Sequence, residues 1–277
     1  MLASVPALRR SGLSLQSAIF PPWRPVMLSS TAGFAQKLTY QACFLLMRLY
    51  TVQPLSIYDT LCRTGTFLSE PWKDAEAWMC TDAPAIKLAY DWLCKEMMER
   101  GLRRPAPSVY PIWAWYRYMG ENKPKPDLRH SAYKHCGLHE RQVLLTLDVP
   151  DNDVLLHDYE AWHYPLNYFH LAAQRVSDRF ERQCKAAGFP LYSEVPLQDN
   201  ALNAQVQRSW RTIFDLPACR RLFRRSRAEQ AVQATLWTLH AAHVTEAVAF
   251  GGLQKRRKLP LPGTHSTICP LPARSGR

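Results

Sequence analysis

The chain has 277 residues, of which 47% are hydrophobic and 21% charged, the profile of one globular domain, or at most two, with enough apolar material for a sizeable core. A formal charge of +12 raises nucleic acid or an anionic membrane as partners, but the charge sits at the ends: residues 1–46 and 251–277 hold ten of the 35 basic side chains and none of the 23 acidic ones. Residues 47–250 carry 25 basic against 23 acidic residues, a net of +2, so nucleic-acid binding by the core loses its electrostatic argument and only "QKRRKLP" remains as a basic patch.

Eight scattered cysteines, with no C-x-x-C pair and no secretory signal, predict free thiols in a reducing compartment, the cytosol. The longest apolar run, "ACFLLM", is far short of the ~20 residues that span a bilayer, so no membrane partner is expected.

Residues 1–46 are acid-free and rich in Ser, Ala, Leu and Arg. That is the composition of a mitochondrial transit peptide, or else of sequence upstream of a start at Met47. The stretch is expected to be a disordered extension, and 251–277, rich in Gly, Pro and basic residues, a disordered tail. The domain is then 47–250. "RLYTVQ" reads as a strand; Pro54 opens a helix with Leu55, Tyr58 and Leu61 on one face and Gly65 as its stop. A second helix from Pro84 carries Ile86, Ala89, Tyr90, Leu93 and Met97 on a stripe and ends at Arg100 and Gly101. "VYPIWAWYRYMG" alternates with aromatics on both sides, a strand covered on both faces. "QVLLTLDVP" is a second such strand, closed by Pro150 and the turn "DNDV". "VLLHDYEAWHYPLNYFHLAAQRV" begins as a strand and becomes a helix with Asp158 as N-cap. Helices follow near 199–213, capped by Asp199 or Asn200, and near 217–226; "VQATLWTL" and "VTEAVAF" are closing strands joined by "HAAH". Strands among helices without a regular βαβ rhythm predict an α+β fold with a mixed or antiparallel sheet.

Phosphate-loop, dinucleotide, zincin and nucleophile-elbow fingerprints do not occur. "HSAYKHCGLHE" offers His130, His135, Cys136 and His139, but adjacent His135 and Cys136 do not readily reach one ion, and a solvated loop is expected with no metal. "HDYEAWHYPLN" places His157, Asp158, Glu160, His163 and Asn167 at a strand-to-helix junction, where ligands commonly bind; the plainer reading is a capping Asp and a core His. Trp113, Trp115 and Tyr116 are core by default, yet an aromatic floor beside Arg117 suits a planar ring joined to a phosphate. Asp127 and Arg129 form either a loop ion pair or further anion-binding capacity.

The blocks "LYTVQP", "YPIWAWYR" with "KPDLRH", "VPDNDVLLHDYEAWHYPLN", "SWRTIFDL" and "VQATLWTL" resemble an uncharacterised bacterial family, a domain of unknown function, over about 47–250. That resemblance carries no activity. The order of elements also resembles ADP-ribosyltransferase-type domains, which implies NAD in a cleft, with Gln53 on the first strand holding ribose, Trp113 or Tyr116 stacking the ring and Gln233 where a late-strand carboxylate is usual; in such a cleft Arg117 would grip phosphate and Asp158 with His163, beside Asn167, would do acid–base work. Because an amide supplies no negative charge for an oxocarbenium centre, either Glu229 or Asp158 substitutes or the site binds without turnover. The alternative is a non-catalytic binding or regulatory module in which the same residues are core and caps.

Overall fold

The computed structural model describes residues 45–71, 84–129, 141–190, 194–251 and 256–263, all within a compact unit that begins at Cys43. The chain enters β1 (Leu46–Pro54) and turns at Pro54, whose φ of −52° starts α1 (Leu55–Thr64). Gly65, at φ 75°, ends that helix by donating its N–H to the Leu61 carbonyl. After β2 (Thr66–Leu68) comes α2 (Pro84–Glu99), which buries Ala89, Trp92, Leu93, Cys94, Glu96 and Met97. Strands β3 (Ile112–Arg117), β4 (Gln142–Pro150) and β5 (Leu155–Asp158) precede α3 (Tyr159–Leu166), α4 (Gln174–Ala186), α5 (Asn200–Trp210) and α6 (Leu216–Phe223). The chain closes with β6 (Val232–Leu236), β7 (Thr238–His240), β8 (Val244–Phe250) and β9 (Arg257–Leu259).

Seven strands form one sheet in the order β5-β6-β3-β1-β4-β8-β9, every neighbouring pair antiparallel, while β2 and β7 make a small second sheet. The α+β expectation holds, with the antiparallel alternative realised. Register assigns each side chain to a face. One face carries Leu49, Ile112, Ala114, Val143, Leu145, Leu147, Ala234, Leu236, Ala247 and Ala249, packed with Tyr58 and Leu61 of α1. The other presents two rows across the strands. One is Glu246, Thr146, Tyr50, Trp115, Gln233 and His157; the next is Val248, Leu144, Val52, Trp113, Thr235 and Leu155. Helices α2, α3 and α5 cover the β5-β6-β3 part of that second face with a core built on Trp92, Trp162, Trp210 and Tyr168. No helix among the described residues is long and apolar enough to cross a membrane.

Three elements differ from the sequence expectation. The helix after Asp158 stops at Leu166: Pro165 lies in its last turn, Tyr168 takes φ 57°, and a separate helix begins at Gln174. "VQATLWTL" breaks at Trp237, which leaves the main sheet and donates its indole N–H to the Leu102 carbonyl. Residues 257–259, expected within a disordered tail, add β9 to the open edge of β8, and Tyr58 Oη donates to the Pro260 carbonyl just beyond.

Candidate functional site

The aromatic strand does two different things on its helix-covered face. Trp113 is packed among Tyr90 (5.7 Å), His157 (5.0 Å) and Trp162 (4.9 Å between ring centroids). Two residues on, a β-bulge between Trp115 and Arg117 bends the strand. Trp115 stays half-buried, its ring 5.0 Å from both Tyr118 and Tyr159, and Tyr159 in turn lies 4.9 Å from His163. Gln233 stands directly across the ladder from Trp115, on the same face. A strip of half-buried groups therefore runs Gln233, Trp115, Tyr159, His163.

Beneath the strip lie polar atoms that meet no partner with hydrogen-bond geometry: both ring nitrogens of His157 and Oε1 of Gln233. His157 pairs with Gln233 across β5 and β6, so these orphans are neighbours. Complete burial pushes the His157 imidazole down to about 3, which keeps it neutral at ordinary pH. Burial likewise raises the Tyr159 phenol, with Glu160 adding a smaller upward push. Buried donors and acceptors of this kind are rarely left unmatched, and a cluster of them beside half-exposed rings marks a place where something polar can dock.

Asp158 caps α3 as expected, accepting from the Ala161 N–H at 2.9 Å. It is wholly buried and fully engaged. Gln230 Nε2 donates to it at 2.7 Å, Arg225 lies 3.5 Å away, and Gln230 Oε1 accepts from Arg220. This network fastens the β5–α3 junction to the segment after α6. His163 Nδ1 meets the Tyr159 carbonyl at 3.1 Å, the distance for a donated N–H, which leaves Nε2 as the acceptor. Asn167 is exposed and donates to the His163 carbonyl as the C-terminal cap of α3.

Three of the residues singled out in the sequence stand apart from the strip. Gln53 lies on the α1 side of the sheet in register with Val143, and its Nε2 donates to Thr51 Oγ1 at 2.7 Å. Tyr116 packs against the α1-side core, and Arg117 lies 5.0 Å over the Tyr116 ring and 3.6 Å from Glu121. Gln53 and Gln233 therefore occupy opposite faces, and no single cleft holds both. Asp127 and Arg129 form a loop ion pair at 2.7 Å. The His130, His135, Cys136 and His139 cluster lies outside the described residues, and among the described residues no group of three His, Cys, Asp or Glu side chains is placed to hold a metal.

Tyr159 and the buried pair His157–Gln233 were the missing parts of the sequence reading. The signal existed: β5 and β6 both read as strands, and only their mutual register was needed to set His157 opposite Gln233.

A model of a domain of unknown function, DUF3841, matches residues 48–245, well over half of the chain. No curated protein and no solved structure matches it.

Proposed function

We propose, for a chain that belongs to the DUF3841 family of domains of unknown function, that it is a binding module for a small molecule with a planar, nucleotide-type ring. The ring stacks on Trp115 and Tyr159, while Gln233 and the Nε2 acceptor of His163 read its polar edge. The observation that carries this is the coincidence, on one patch of one sheet face, of half-buried rings with buried polar atoms that lack partners. Binding is favoured over turnover. Asp158, the carboxylate expected to stand in for the late-strand acid, is sealed and committed to Gln230 and Arg225, and Gln53 lies across the sheet from Gln233, unlike the shared cleft of an ADP-ribosyltransferase. The free thiols of Cys94, Cys184 and Cys219, buried among the described residues, support a reducing, cytosolic setting.

The test is thermal stability with NAD, ATP and adenosine. A ligand at 100 times its dissociation constant should stabilise the protein by ~2.7 kcal/mol. Trp115→Ala and Gln233→Ala should abolish that gain while leaving a cooperative unfolding transition. No gain from any of the three ligands, or a gain indifferent to both substitutions, would sink the reading.

A further inference from the structure

A hollow that shares no lining residue with the aromatic strip lies beside the turn after α2. It has a volume of about 260 Å³, and the end of β4 (Val149), the end of β6 (Leu236), the turn after α2 and the short 3-10 turns at Asp151–Asp153 and Ala241–His243 all contribute to it. Val149, Leu236 and Trp237 give it apolar lining. Its rim is polar and carries charges of both signs: Arg103 and Asp153 are exposed there, and neither makes an ion pair with any described residue. His240 and His243 complete the rim, their rings 5.0 Å apart, and His243 Nδ1 is buried without a partner. Burial lowers the His243 imidazole, the neighbouring His240 lowers it further, and Asp153 opposes both.

We propose that this hollow is a site for a small zwitterion, a free α-amino acid with an apolar side chain. The Arg103 guanidinium presents a fork that matches a carboxylate. Asp153 supplies the counter-charge for an ammonium group, and the turn after α2 at Gly101 and Leu102, which also lines the hollow, lies just past the partially negative end of that helix. The apolar lining takes the side chain, and the volume admits a molecule of amino-acid size. A simple anion matches the site less well, because Asp153 and the helix end oppose it. Two opposite charges without an ion-pair partner among the described residues, beside apolar lining, are the complement of a ligand with the same three features.

The experiment follows the His240 and His243 ring signals by NMR in the full chain during titration with L-leucine, leucine amide, 4-methylpentanoate and inorganic phosphate. The proposal expects saturable shifts with L-leucine, at least tenfold weaker binding of the amide and of the carboxylate lacking the ammonium, and no response to phosphate at matched concentration. Arg103→Ala should erase the preference for leucine over its amide, and Asp153→Asn the preference for leucine over 4-methylpentanoate; both side chains are exposed, so the fold should survive either change. L-leucine binding should be untouched by Trp115→Ala, which separates this site from the aromatic strip. No saturable shift with L-leucine, a response to phosphate alone, or wild-type preferences retained in both variants would overturn it.

Discussion

On the α1 side of the sheet, Leu49, Val143, Leu145, Ala234 and Ala247 lie side by side, fully buried. On the helix side the same strands present Thr146, Gln233, Thr235 and His157, also mostly buried, and there several polar atoms have no partner. One face follows the ordinary rule that interiors are apolar or matched; the other departs from it within a few residues of half-exposed aromatic rings. The stability of the domain is thus drawn from the first face, from the helix-side core around Trp92, Trp162, Trp210 and Tyr168 and from the Asp158 network, while the polar row of the second face holds groups whose arrangement folding alone does not require. Local departures of this kind are where function is expected.

That contrast can be broken or sharpened by substitution. The largest effect is expected at Asp158, where Asp158→Ala strands Arg225 and takes away one acceptor of Gln230; it should cost about 3–5 kcal/mol in denaturant unfolding. Leu145→Ala, in the centre of the apolar face, should cost about 2–5 kcal/mol through lost contacts and a residual cavity. His157→Leu should behave oppositely and leave stability unchanged or raise it by about 1 kcal/mol, since it removes buried nitrogens that no group satisfies. If the apolar face and the His157 site lose stability alike, the distinction between the faces fails.

The same histidine sets a pH test. Its folded value, about 3, lies below the ordinary 6.5, so the unfolded chain binds the proton first as acid is added. Its contribution is fully present above pH 6.5 and is lost as pH falls towards 3, with a slope of up to about 1.4 kcal/mol per pH unit. Comparing wild type with His157→Leu across that window should show the slope flatten. The smallest effect belongs to the loop pair: Arg129→Ala should leave the melting temperature where it was, because that ion pair is held in solvent.

The sequence carried the architecture further than the site. Period-two alternation in "QVLLTLDVP" and "VTEAVAF" located β4 and β8, and cap chemistry placed Asp158, Asp199 and Gly65, because each depends on residues within a few positions of one another. The short β2 has too few residues to show a period. β9 owes its extended form to the free edge of β8 and not to its own composition. The site was legible in part. Trp113, His163 and Asp158 were singled out from local chemistry and Gln233 only through the ADP-ribosyltransferase resemblance, but which face each strand side chain occupies follows from register, and Gln53 and Tyr116 fell on the far side for that reason. Glu96 shows the same limit. It is buried on α2 and bound by Arg100 and Arg211, a partner 115 residues away that no local pattern announces.

Hydrogen–deuterium exchange with and without saturating NAD tests the central claim, ligand binding at the strip formed by Gln233, Trp115, Tyr159 and His163, most directly. The account predicts slowed exchange confined to β3, β6 and the first turn of α3. Unchanged exchange in those three segments, whether or not slowing occurs elsewhere, would contradict it.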